Sequence, residues 1–124
     1  MDVLDFYNDT RVKFPEITEK ADKKHIEMWG EINPEFAYSW FESLANALNA
    51  EMFRGVDPSK HKELFNYISA RFKTGSEKVK NCIDVSFAEN LFWKVPGLKA
   101  KPYWVLFPSN LRELYVKFHG KEPL

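Results

Sequence analysis

Catalysis, metal binding and phosphate binding each need particular side chains at particular spacings, and this chain offers few of them. His25, His61 and His119 lie 36 and 58 residues apart, and none has a second His or Cys within one helical turn. His61 and Glu63 are two apart, which puts them on different faces of a helix. The spacing predicts no metal site. Cys82 sits among Val79, Ile83 and Val85, where a thiol behaves as a small, inert hydrophobe. The five glycines are isolated, so no loop of the phosphate-cradling kind exists and no nucleotide cofactor is expected. Asp84 and Glu89, with Asn90, interrupt an otherwise apolar stretch that ends at Trp93. On an α-helix, residues five apart point about 140° away from each other, so these two carboxylates are not read as an acid–base pair. One is expected to accept a hydrogen bond from a helix terminus or from Trp104, and the other to face water. The residues argue against an enzyme.

Two charged constellations suit binding instead. Residues 1–56 carry 11 acidic and 6 basic side chains, and residues 57–124 carry 7 and 12, so the net charge of zero is the sum of two opposite halves. In the acidic half Asp22, Glu27, Glu31, Glu35 and Glu42 lie close to Trp29, Tyr38 and Trp40. Carboxylates around aromatic anchors suit a protein partner with a basic surface, and they steer its approach. The expected partner-binding residues are Glu27, Trp29, Glu31, Glu35, Tyr38 and Glu42. In the basic half Lys60, Lys62, Lys73, Lys78, Lys80, Lys94, Lys99 and Lys101 are interleaved with Trp93, Tyr103 and Trp104. That pattern carries the alternative of nucleic-acid binding. Only Arg71 and Arg112 supply guanidinium groups there, and the pI near 6.8 is low for such a protein.

The elements that must hold these residues read as helices. Asn33 and Pro34 open one at 34–54, in which Phe36, Trp40, Leu44, Leu48 and Met52 recur every four residues until Gly55. Asp57 and Pro58 open a second at 58–73, ended by Gly75, and Ser76 caps a third at about 77–93, expected to be the most buried. Asp2 caps a short N-terminal helix. Pro15 opens another, with Phe14, Ile17, Ala21, His25 and Met28 facing inward. Val95–Leu98 reads as a turn, and Pro108 and Ser109 start the last helix, ended by Gly120. The fold class is all-α, a single compact domain over 1–124 with five or six helices. The runner-up is α+β, with a small hairpin near 91–107 formed by the Tyr103–Phe107 run.

Length and composition bound the rest. A chain of 124 residues with 20 aromatics buries enough area to fold alone, and its mass of 14.6 kDa predicts a folded surface of about 6,900 Å². No apolar run reaches membrane-spanning length, no signal peptide is visible, and one cysteine suits a reducing cytoplasm. A cytoplasmic location follows as the expectation.

The run Ile83-Asp84-Val85-Ser86-Phe87-Ala88-Glu89-Asn90-Leu91-Phe92-Trp93, followed by Leu106-Phe107-Pro108-Ser109-Asn110-Leu111-Arg112, resembles a group of short, mostly helical bacterial proteins. Some of these look like immunity partners in contact-dependent or secreted polymorphic toxin systems. The resemblance covers about the last 45 residues, through Phe-x-Glu-Asn-Leu and Pro-Ser-x-Leu. It implies a non-enzymatic immunity protein that binds a cognate toxin and occludes its active site, and it carries over no catalytic residue.

Overall fold

The computed structural model describes residues 2–124, and all of its regular structure is helical. Its surface of 6927 Å² matches the value expected for a compact chain of this mass. The order is α1 (Val3–Lys13), α2 (Pro15–Trp29), α3 (Ala37–Phe53), α4 (Lys62–Thr74), α5 (Glu77–Cys82), α6 (Gly97–Leu106) and α7 (Ser109–His119). Short 3₁₀ turns at Pro34–Phe36 and Pro58–His61 precede α3 and α4, and a π-helical turn at Ile83–Ala88 follows α5. Seven helices thus replace the expected five or six. The hairpin near 91–107 does not form, because the Tyr103–Phe107 run belongs to the second half of α6 and the turn after it.

Local signals set most of the boundaries. The Asp2 carboxylate accepts the Asp5 N–H at 2.8 Å, and Asp5 accepts the Asp2 N–H in return, a capping box that satisfies two otherwise orphaned donors. Asn33, Asp57 and Ser76 accept backbone N–H groups two or three residues on. Gly30 and Gly120 close α2 and α7 with φ of 85° and 78°. Gly75 has another reason to be glycine: a Cβ there would sit 2.5 Å from the Arg71 carbonyl oxygen.

The central helix is α3, not the segment after Ser76. It packs against α1, α2, α6 and the π turn, and Trp40, Phe41, Leu44, Leu48 and Met52 are buried along it. Phe6 of α1 stacks on Phe41 with ring centroids 4.4 Å apart. A second aromatic cluster joins the C-terminal helices: Phe92 meets Trp104, Phe107 and Tyr115 edge-on at 5.5–5.6 Å. Residues 77–93 do not form one helix. The chain leaves α5 through the π turn, where the Glu89 N–H reaches the Asp84 carbonyl at 3.1 Å, and then runs through irregular turns to Val95.

Two buried histidines couple this core to pH. His25 and His61 are 1% and 7% exposed, and burial holds both below the ordinary histidine value of 6.5 despite nearby carboxylates. Below that pH the unfolded chain takes up protons that the folded chain resists, so stability falls as pH drops through 6.5. Urea midpoints at about pH 7.5 and 5.5 will show the fall, and His25→Gln will flatten it.

A candidate binding groove around Trp93

The clearest departure from ordinary backbone lies between the π turn and α6. Phe92 and Lys94 have φ of 68° and 56°, a left-handed conformation that strains residues with a Cβ. Such strain persists only where the surroundings over-determine it, and here three contacts do so. The Phe92 ring is locked into the C-terminal aromatic cluster. Asn49, buried on α3, accepts the Phe92 N–H at 2.7 Å and donates to the Asn90 carbonyl at 2.9 Å. The Asn90 side chain donates to the Ser86 carbonyl at 2.8 Å and so closes the π turn.

Between the two strained residues Trp93 points outward, 61% exposed, with the Lys94 ammonium 5.5 Å from its ring centroid. Replacing Lys94 with glycine should relieve the strain and raise stability by up to about 1 kcal/mol, measurable by chemical denaturation.

Trp93 forms one wall of a groove of about 860 Å³ between this turn and the α2–α3 pair. Met28 of α2, Phe53 of α3 and Val95 supply the apolar lining, and Lys24, Glu27, Arg54 and Lys94 supply the charged rim. Met28 and Phe53 are about as exposed as Trp93. Met28 is a correction to the inward stripe read for α2, since the helix runs past the edge of the core before Gly30 ends it. Trp29 and Phe36 near the end of α2 are also exposed, and so is Ile26, which lies on a different face of α2 from Met28. Grouped apolar exposure such as that of Met28, Phe53 and Trp93 is a general feature of interaction surfaces.

The expected partner-binding residues separate over this region. Glu27 borders the groove. Trp29 stacks on Phe36 at 6.2 Å across the intervening loop, with Glu31 in that loop and Glu35 in the 3₁₀ turn, both exposed. Tyr38 is engaged internally: its hydroxyl donates to the Lys78 carbonyl at 3.1 Å and accepts from Asn81 at 3.3 Å, tying α3 to α5. Glu42 is half-buried on α3. Asp22 lies within the structure, taking both Arg11 amino groups at 2.5 and 2.9 Å and the buried Trp40 indole N–H at 2.7 Å.

The other residues with chemical potential lie elsewhere in the fold. Cys82 is fully buried, and burial pushes its thiol up to about 12, with a Ser86 hydrogen bond opposing. A thiol reagent should leave it untouched in the folded protein and titrate one equivalent after denaturation. Asp84 and Glu89 approach one another because the π turn is wider than an α turn. Burial, and then the Asp84 charge, raise the Glu89 carboxyl above its ordinary value, with His119 opposing. Trp104 does not serve either of them; its indole N–H goes to Glu122 at 3.3 Å. Of the aromatics interleaved with the C-terminal lysines, Tyr103 and Trp104 are buried, which leaves Trp93 to face solvent. Among the described residues, no three metal-ligating side chains come together.

One cluster escapes sequence reading altogether. Glu51 on α3 is 2% exposed and bonds Lys20 of α2 at 2.9 Å and Arg54 at close range. His61 Nε2 lies 3.5 Å away. Burial opposes ionisation of Glu51, and the two cations more than offset it, so the carboxyl is held below its ordinary value. Lys20, Glu51 and His61 line a cavity of about 240 Å³ with Phe14, Ile17 and Leu64. Arg54 is three residues on, but Lys20 and His61 lie 31 and 10 residues from Glu51, separations that no periodicity flags.

Fold and groove together define a compact all-helical protein with an apolar, charge-rimmed groove on its surface. The chain belongs to the family described as Domain of unknown function (DUF7674), whose model matches residues 7–120. No curated protein and no solved structure matches it. No helix among the described residues is long and apolar enough to cross a membrane.

Proposed function

We propose that the protein is a non-enzymatic protein-binding module that grips its partner through the Trp93 groove and the adjoining Trp29–Phe36 edge. Its specific form is an immunity protein, which binds a cognate bacterial toxin and occludes the active site. One observation carries the binding reading: Trp93 is held out to solvent between two left-handed residues by bonds from a buried asparagine. A chain that only needed a turn here would relax it or place a glycine. Exposed tryptophan beside methionine and phenylalanine is the composition of an interface anchor.

The rim supports discrimination among partners. Lys24, Arg54 and Lys94 stand on the groove side, while Glu31 and Glu35 stand by the Trp29–Phe36 stack. A two-signed rim fixes register and rejects mismatched surfaces. The carboxylates remain available for a basic active-site surface. Support for the immunity form comes from the resemblance over residues 83–93 and 106–112, and the first of these segments is the one that builds and displays Trp93. In the second, Asn110 exchanges hydrogen bonds with Ser69 at 2.7 and 3.1 Å, fastening α7 to α4.

The test is retention of partners from the source cells on the tagged protein and on Trp93→Ala, washed first at low and then at high salt. The expected result is one stoichiometric protein held by the wild type and lost from the variant, toxic when expressed alone and harmless with the wild type. Nucleic acid alone, released by salt from both forms, would instead favour the lysine-rich half as the working surface. A protein held equally by both forms would overturn the groove.

A further inference from the structure

The groove is one end of a longer feature. A shallow cavity of about 330 Å³ along the α2–α3 seam shares Lys24, Glu27, Ala50 and Arg54 with the Trp93 groove, and shares Lys20 and Glu51 with the His61 cavity. Through these shared residues the three adjoin one another in a furrow along α2, whose 15 residues make it about 20 Å long.

Its charge is one-sided, although α2 belongs to the acidic half of the sequence. Lys13 and Lys60 stand at the far end, Lys20, Lys23 and Lys24 along the seam, and Arg54 and Lys94 at the groove. Against these seven cations the furrow sets Glu16, Glu27 and Glu51; Glu51 is buried between Lys20 and Arg54, which leaves Lys13, Lys23, Lys24, Lys60 and Lys94 against Glu16 and Glu27. The exposed apolar anchors Met28, Phe53 and Trp93 stand at one end, whereas Phe14, Ile17 and Leu64 at the other are half-buried or buried.

We infer that this furrow binds an extended acidic segment of the protein partner, about six residues long, with an apolar end seated on Met28, Phe53 and Trp93. The length follows from about 3.3 Å per extended residue over the seam. The inference rests on the binding role proposed above and names the chemistry that the groove selects. Acidic side chains complement the lysines, and the anchor end supplies the desolvated contact that charge alone lacks. The carboxylates of Glu16 and Glu27 favour a peptide over a nucleic acid. A peptide backbone brings N–H donors to them, whereas a phosphodiester brings only further negative charge. The rings are also unevenly placed for the repeated stacking that single strands require: Phe53 and Trp93 stand at one end, Phe14 and the buried His61 at the other, and Ala47 and Ala50 line the seam between them.

Fluorescence anisotropy on the full chain tests this with three labelled probes. They are a peptide of six alternating Asp and Glu residues followed by Leu-Phe, the same peptide with Lys in place of the acids, and an eight-nucleotide oligothymidine. At low salt the acidic peptide should bind at least about tenfold more tightly than either of the others. Lys23→Glu combined with Lys24→Glu should weaken it by about tenfold and flatten its salt dependence. Both residues are exposed, and a circular dichroism spectrum will verify that the variant folds. Trp93→Ala should weaken binding without changing the salt dependence. Failure of the acidic peptide to bind, or tighter binding of oligothymidine, would overturn the inference. If a protein partner from cells still depends on Trp93 when the acidic peptide fails, the binding module survives and the acidic occupant is rejected.

Discussion

Trp93→Ala should remove partner binding while leaving the fold unchanged. The side chain is largely exposed, so truncating it opens no cavity and costs the folded state little. In a complex the same ring would be desolvated against the partner, on a floor already formed by Met28 and Phe53. Central tryptophans of this kind cost about 2–4 kcal/mol when truncated, which is roughly 30- to 1,000-fold in affinity. The loss should appear in the dissociation rate, because a contact made only after docking does not alter diffusional encounter. Titration calorimetry against the captured partner, beside a thermal melt of each protein, separates the two quantities. Unchanged affinity with an unchanged melt would remove the groove from the functional account. Trp93→Phe should retain part of the affinity, since a ring remains.

Asn49→Ala should be the most damaging substitution at a polar position, because one side chain satisfies two backbone groups on a distant segment. Its loss leaves the buried Phe92 N–H without an acceptor and the Asn90 carbonyl without its donor. Each unsatisfied buried group costs about 1–3 kcal/mol, so the variant should lose about 2–4 kcal/mol of stability and melt roughly 10 °C lower. The injury extends to function. Without the clamp, the left-handed conformations at Phe92 and Lys94 lose one of their constraints, and Trp93 is no longer held in one place. Asn49→Asp keeps the acceptor for Phe92 and loses the donor to Asn90, so it should fall between alanine and the wild type. A chemical denaturation series on the three proteins checks the order. A cost for Asn49→Ala below about 0.5 kcal/mol would mean that the turn is held by the Phe92 aromatic contacts alone.

Local grammar accounts for the elements that were legible. Asp2, Asn33, Asp57 and Ser76 act within three residues of themselves, and the four-residue recurrence from Trp40 to Met52 directs one face of α3 inward whatever it packs against. Those signals survive being read one segment at a time. The segment after Ser76 misled because its apolar residues are inward for different reasons in succession: Val79 and Cys82 on an α-helix, Ile83 and Phe87 on a π turn, and Phe92 from a left-handed turn. Periodicity cannot separate these cases. Tyr103–Phe107 resembled a strand for a related reason, since aromatic and β-branched residues pack equally well in a helix wedged into an aromatic cluster.

The binding surface drew on longer-range decisions. Tyr38 has the composition of an anchor and serves as a brace, because Lys78 and Asn81 lie more than forty residues away in sequence and beside it in space. Asp22 looked like part of an acidic face and is paired with Arg11 while accepting the Trp40 indole N–H. By itself the sequence determined the all-helical class, the starts of most helices and the burial of Cys82, because each depends on residues within a turn or two of one another. Only the tertiary structure decided that α3 is central, that Asn49 holds a strained turn, that Glu51 gathers Lys20, Arg54 and His61, and that Met28, Phe53 and Trp93 share a groove. Those outcomes depend on which segments meet, and that is set by the packing of whole helix faces rather than by any local pattern.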